Sequence, residues 1–230
     1  MAYKNIFFDL DDTLWAFADN SRDTFEEMYH KYNFDSYFDS FTHYYTLYQG
    51  RNVELWDLYG RNEITKEELN QQRFSYPLLQ VGINDSLLVK NFMDNFFAVV
   101  STKKKLMPHT IEVLDYLYPK YNLYILSNGF RELQASKMQA SGIAGYFKKI
   151  ILSEDIAVMK PYPDIFYFAL SSTQSELNES LMIGDNFVND VQGARGVGMD
   201  QVYYNVENQT RLSFKPTYEI RDLNELIDLL

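Results

Sequence analysis

The stretch Ile6-Phe7-Phe8-Asp9-Leu10-Asp11-Asp12-Thr13-Leu14 lies almost at the start of the chain. Ile6 to Phe8 has the apolar character of a short buried strand, and it runs straight into three carboxylates. Strand side chains alternate faces, so Asp9 and Asp11 are expected on one side at the strand's C-terminal end. Two carboxylates held close there repel each other, and a hard divalent cation with oxygen ligands offsets that repulsion. Thr13 adds a hydroxyl one step further along the same face. An acidic turn that solubilises the strand end is the competing reading of this stretch alone.

The remainder of the chain separates the two. Its 230 residues suffice for one large domain, or one domain with an insertion, and 46% hydrophobic with 23% charged residues is ordinary for a soluble globular protein. A net charge of -11 argues against a nucleic-acid polymer or a membrane surface as partner. An anionic small substrate stays admissible, because a metal or a lysine inverts the field at one site. The absence of cysteine removes disulfides, cysteine nucleophiles and thiolate-metal sites. No secretory signal pattern is visible and no apolar run approaches the ~18 residues of a membrane span. A cytoplasmic protein is the expectation.

After Leu14 the hydrophobic period changes from strand to helix. Phe25, Met28, Tyr29 and Tyr32 recur at three- and four-residue spacing, and Asp35 to Tyr48 continues likewise. Asn52 to Tyr59 reads as a short helix, Thr65-Lys66-Glu67-Glu68 as a capping box opening a helix through Leu79, and Asn84-Asp85 as the start of one more to about Val100. Half of the aromatic residues lie between Trp15 and Phe97, roughly a third of the chain, so that segment has its own apolar surfaces to bury. The pattern predicts an all-helical insertion over 15–100, of four or five helices, set into a domain made of 1–14 and 101–230. From Leu106 strands at 123–126, 149–152, 180–183 and 201–204 alternate with helices at 108–118, 130–140, 164–172, 188–196 and 223–230. That alternation predicts an α/β fold, a Rossmann-like, doubly wound parallel sheet, with ligands bound outside the carboxyl ends of the strands.

Four polar clusters fall at such ends. Asp9/Asp11/Thr13 is the first. Ser127-Asn128-Gly129, between a strand and a helix N-terminus, favours an anion, although a serine N-cap explains the tripeptide equally simply. Lys160 in Met159-Lys160-Pro161-Tyr162-Pro163 can be a fixed point charge for phosphate, or a solvated surface lysine. Gly184-Asp185-Asn186-Phe187-Val188-Asn189-Asp190 places one carboxylate at a strand end and another about a helical turn later, or is a helix cap with an acidic first turn. Their joint occurrence, in this order and at one sheet edge, is the stronger observation.

In these four clusters the chain resembles the haloacid dehalogenase superfamily, and the helical insertion after the first cluster resembles that superfamily's cap. The resemblance implies that Asp9 is a nucleophile forming an aspartyl-phosphate, and that Asp11 is the general acid–base with its backbone carbonyl a magnesium ligand. It implies a phosphate-binding group of Thr13, Ser127, Asn128 and Lys160, with Thr13 also supporting the first loop and Lys160 neutralising phosphate and nucleophile. Asp9, Asp11 and Asp185 would hold Mg2+, with Asp190 behind them or paired to the lysine. Dehalogenases of the superfamily lack an aspartate two positions after the first, so Asp11 implies phosphatase or phosphomutase instead. Such chemistry needs an in-line nucleophile and charge neutralisation above all.

Leu14-Trp15, Gly60 to Thr65, Arg73-Phe74 and Ser127 to Phe130 are similar to the pyrimidine 5′-nucleotidase branch, which implies nucleoside 5′-monophosphates as substrates. Acylneuraminate 9-phosphate and other sugar-phosphate phosphatases are the alternative, and a non-catalytic phospho-ligand scaffold or a dehalogenase the remote ones. Trp15, Arg73 and Arg131 are the candidate specificity residues, with surface positions as the competing reading of the two arginines; Phe17, Tyr45, Tyr48 and Trp56 are further stacking faces or, by their three- and four-residue spacing, helix core. Many relatives carry glycine after the proline of the return segment, where this chain has Pro108-His109.

Overall fold

The computed structural model describes residues 3–230. In chain order, β1 (Asn5–Phe8) leads to α1 (Phe17–Lys31), α2 (Phe41–Gly60), α3 (Lys66–Gln80), α4 (Ser86–Val100) and α5 (Thr110–Leu117). Then come β2 (Asn122–Ser127), α6 (Arg131–Ala140), β3 (Lys149–Leu152), α7 (Pro163–Thr173) and β4 (Ser180–Gly184). A π-helical segment, Phe187–Gln192, runs into α8 (Gly193–Gly196), followed by β5 (Asp200–Tyr204), β6 (Tyr218–Ile220) and α9 (Glu225–Leu229).

All neighbouring strands pair in parallel, in the order β3-β2-β1-β4-β5-β6. The chain winds outward from β1 to β3, then returns to lay β4 on the other side of β1. That reversal opens a crevice at the carboxyl ends of β1 and β4, where ligands bind in sheets of this kind. Both faces of the central strands are buried, which is why β1 and β4 read as unbroken apolar runs. Phe7, Tyr124, Leu126, Ile151 and Met182 on one face pack with Ile165, Phe166 and Ala169 of α7 and Ala194 of α8.

The chain divides into two compact units, residues up to Phe17 with Lys104–Leu230, and Ala18–Lys103. The division falls slightly further along the chain than 15 and 100, so Trp15 belongs with the sheet. Within the helical unit, the separate helix expected at 52–59 is the second half of α2. Gly50 sits on its exposed side with open space around the Cβ position. Its cost, ~1 kcal/mol against alanine, is outweighed by burial of Tyr44, Tyr45, Tyr48 and Leu55 along the same helix. The capping box at Thr65 and the Asp85 cap are present as expected. β6 was not expected: three residues with Glu219 at their centre carry too short a pattern to signal a strand.

His109 has φ 62°, the left-handed conformation that glycine occupies most easily. The turn therefore takes a glycine-like backbone conformation despite its side chain, and the imidazole is held by Asp222 Oδ1 at 2.7 Å.

The helical unit is built round Phe25, whose ring lies 4.1 Å from that of Tyr48 and 4.2 Å from that of Phe96, with Tyr44, Phe74 and Phe92 also in ring contact. Phe25→Ala is expected to destabilise this unit by about 3–5 kcal/mol, the range for emptying an aromatic core position. Urea unfolding followed by far-UV circular dichroism measures it; a loss below ~1 kcal/mol contradicts the packing described.

Candidate active site

β1 ends at Phe8, so the period-two alternation stops before the carboxylates, and the following loop gives each of them different neighbours. Asp12 turns that loop with φ 57°, a region Asp tolerates, and its N–H donates to Trp15 O. Asp9 points to Lys160, whose Nζ donates to Asp9 Oδ1 and to Asp190 Oδ1, both at 2.6 Å, and to Leu126 O at 2.7 Å. Lys160 is 3% exposed, which excludes a solvated surface lysine. Its main chain is clasped by Asn128, which accepts from Lys160 N and donates to Lys160 O.

Asp190 Oδ2 accepts from Asn186 N, so both of its oxygens are engaged and it stands as the partner of Lys160. Gly184 makes room for it: a Cβ there would lie 2.2 Å from Asp190 Oδ2. Asn186, not Asp185, caps the next segment by accepting from Val188 N and Asn189 N, and this leaves Asp185 for the crevice.

Carboxylate oxygens of Asp9, Asp185 and Asp190 lie within 4.8 Å of one another. Burial raises Asp9 from its ordinary 3.8 to about 7, against the pull of Lys160 and with the push of Asp190. Burial likewise raises Asp185 to about 8, reinforced by the charges of Asp9 and Asp190 and opposed by the Thr13 hydrogen bond. Burial alone would lower Lys160, but Asp190 and Asp9 hold it protonated, above its ordinary value. Hard oxygen donors crowded this closely fit a divalent cation such as magnesium, which would relieve the repulsion that raises both aspartates.

Several expected roles are corrected by where the side chains lie. Thr13 was expected at the phosphate, but its hydroxyl donates to Asp185 Oδ1 and accepts from Asp185 N. Its single proton is committed, so Thr13 braces Asp185. The Asn128 side chain is committed to the Lys160 main chain in the same way. Asp11 contributes no carboxylate to the acidic group: Lys137 Nζ donates to its Oδ1 at 2.8 Å and Gln134 Nε2 to its Oδ2 at 2.9 Å. Only its main-chain carbonyl is left for the metal role that the resemblance implies.

Ser127 suits an anion well. It is not the N-cap of α6, a position held by Phe130. Its Oγ accepts from Gly129 N and Gln134 Nε2, and among the described residues no acceptor takes its own proton, which can go to a ligand. Gly129 leaves room for the Gln134 amide, since a Cβ would meet its Nε2 at 2.2 Å. The start of α6 already carries one carboxylate, Glu154, which accepts from Arg131 N.

The three expected specificity residues are engaged elsewhere. Trp15 is fully buried, with Lys137 Nζ 4.5 Å from its ring centroid, and offers no surface to a substrate. Arg73 is enclosed in the helical unit, donating to Asn52 and Asn70 with its guanidinium over Trp56, Phe74 and Phe97. Arg131 pairs with Asp155. Tyr45 and Tyr48 are core residues around Phe25, and Trp56 is half-buried.

Gln134 and Lys137 were missed by sequence reading. The signal was present: with Met138 they form the buried i, i+3, i+4 face of α6, where apolar residues are the rule.

The family model for haloacid dehalogenase-like hydrolases matches residues 3–198, and the chain belongs to that family. Over 99% of its length it is 28% identical to the HAD-hydrolase YfnB of Bacillus subtilis, covering 95% of that protein. It is 29% identical to the pyrimidine 5′-nucleotidase PynA of Streptococcus pneumoniae, over all of this chain and 96% of the relative. With the pyrimidine 5′-nucleotidase YjjG of Escherichia coli the identity is 28%, over all of this chain and 99% of the relative. The crystal structure of YfnB bound to magnesium superposes with a TM-score of 0.88 at 25% identity, covering 100% of this chain and 99% of that one.

The raised aspartates fix the pH dependence of the metal-free protein. Folded, Asp185 and Asp9 keep their protons to about pH 8 and 7; unfolded, both release them near 3.8. The folded state therefore binds more protons across that interval, and stability falls as pH rises through it, by up to about 1.4 kcal/mol per pH unit for each proton retained. Urea unfolding in EDTA between pH 5 and 8 is expected to show this fall, Asp185→Asn to flatten it, and added Mg2+ to restore stability most at pH 8. A flat or rising profile contradicts the electrostatics described.

Proposed function

We propose that this hydrolase is a magnesium-dependent phosphomonoesterase that works through an aspartyl-phosphate on Asp9 and takes nucleoside 5′-monophosphates as substrates. The observation that carries the reading is the Lys160 ammonium fixed between Asp9 and Asp190, beside Asp185, at the carboxyl ends of β1 and β4.

Asp9 attacks phosphorus in line with the leaving oxygen, and Asp11 gives that oxygen a proton. Lys160 stays protonated throughout and neutralises the nucleophile and the phosphoryl oxygens near it. Ser127 donates its free proton to one of those oxygens. Asp11 then takes a proton from the water that attacks the phosphorus, the bond from phosphorus to Asp9 breaks, and inorganic phosphate leaves. Asp9 and Asp185 with the Asp11 main-chain carbonyl would hold the magnesium. When bound, that ion supplies Lewis-acid neutralisation of phosphate charge.

Full-length similarity to two proteins named pyrimidine 5′-nucleotidases supports the nucleotide class, with pyrimidine bases foremost. The helical unit, inserted straight after the first motif, is proposed as the cap that selects the substrate. Shorter matches to a glyceraldehyde 3-phosphate phosphatase and a phosphoserine phosphatase favour, as second reading, a phosphatase of sugar phosphates or other small phosphomonoesters.

A phosphate-release screen over nucleoside monophosphates and phosphosugars tests both levels. Pyrimidine monophosphates are expected to lead, EDTA to abolish release, and Asp9→Asn to lower it by about 10³-fold or more. Activity that survives in the variant or in EDTA overturns the mechanism. Equal kcat/KM across nucleotides and phosphosugars overturns the substrate assignment, and net phosphate transfer within a sugar would mark a phosphomutase.

A further inference from the structure

We propose that Lys137, assisted by Gln134, is a positioning residue for Asp11: the two side chains on α6 grip both carboxylate oxygens and hold them for the leaving oxygen. The proposal rests on the reading of Asp11 as the acid–base. Lys137 is 2% exposed, and Asp11 is its carboxylate partner among the described residues. The ammonium is seated on two aromatic faces, 4.5 Å from the ring centroid of Trp15 and 5.0 Å from that of Phe17. Trp15 thus reaches the chemistry through Lys137, while its own ring stays out of reach of any substrate.

Stability does not account for a lysine here. Desolvating an ammonium is expensive, and apolar residues of similar volume commonly replace a buried ion pair with no loss. A methionine at 137 with an apolar partner in place of Asp11 would lie on the same two rings without that cost. Gln134 points the same way. Its Nε2 donates to both Asp11 Oδ2 and Ser127 Oγ, tying the acid–base to the phosphate-binding hydroxyl. Its Oε1 is buried without a hydrogen-bond partner, an arrangement that costs about 1–3 kcal/mol. Reversing the amide would set that oxygen against the Asp11 carboxylate. The helix face is therefore built to orient Asp11, at the expense of local stability.

The test is a leaving-group series, with kcat/KM measured for p-nitrophenyl, phenyl and alkyl phosphates on the full chain with Mg2+. A good leaving group needs little help from an acid, and a poor one needs it fully. Lys137→Met is expected to lose about 10–100-fold on phenyl and alkyl phosphates but under about 3-fold on p-nitrophenyl phosphate, within the range of acid–base effects. Lys137→Arg is expected to recover most of the loss. A uniform loss over the series, as reduced folded fraction would give, overturns the proposal, and so does no loss. Should Lys137→Met not fold, Lys137→Gln is read by the same criterion. Asp11→Asn runs alongside: if it lacks the leaving-group dependence, the acid–base reading itself fails. If it shows the dependence and the Lys137 variants do not, only the positioning role fails.

Discussion

The Nζ atom of Lys160 lies 2.6 Å from Asp9 Oδ1, 2.6 Å from Asp190 Oδ1 and 2.7 Å from Leu126 O, which uses all three of its protons. In a chain of net charge -11 this buried cation is what allows two enclosed carboxylates to stand side by side. Breaking one side of such a buried pair costs about 3–5 kcal/mol, so the lysine and its aspartates persist as a unit. The surrounding contacts serve that unit. Asn128 fixes the Lys160 main chain, Asn186 N and the missing side chain of Gly184 seat Asp190, and Thr13 holds Asp185 beside them.

The two aspartates of the opening motif separate because the strand ends one residue before the first of them. Asp9 enters the Lys160 network and is deeply buried, whereas Asp11 turns to the face of α6. One loop thereby supplies two carboxyl groups with unlike environments, as the proposed nucleophile and acid–base require. Ser127 links the two halves, since Gln134 touches it and Asp11 together while its own proton stays available.

Much of this was legible in the sequence, for identifiable reasons. The alternation of apolar strand segments with helical ones signalled a doubly wound parallel sheet, and the Thr65 capping box and Asp85 marked helix starts that the structure contains. Polar clusters at strand ends pointed to one sheet edge, where the structure gathers Asp9, Lys160, Asp185 and Asp190. What could not be read is where each side chain is used up. Thr13 and Asn128 belong to the expected residue types, yet their hydrogen bonds go to Asp185 and to the Lys160 main chain. Trp15 follows the opening acidic loop but is buried with Lys137 against its ring, a contact across more than a hundred residues of chain. Gln134 and Lys137 come from a helix that carries no motif, and only their polarity on a buried face betrayed them. Gly50 and β6 show the limits of local signals, where packing overrides a helix breaker and three residues are too few for a period.

The central claim, that Asp9 is the group that Lys160 and its neighbours prepare for attack, is tested most directly by trapping the phosphorylated chain. Acid quench during turnover of a nucleoside monophosphate, followed by borohydride reduction and peptide mass spectrometry, converts an acyl phosphate into homoserine at its own position. Homoserine at position 9, and nowhere else, is the predicted result. Reduction at another carboxylate, or a turning-over enzyme with no trappable acyl phosphate, contradicts the account.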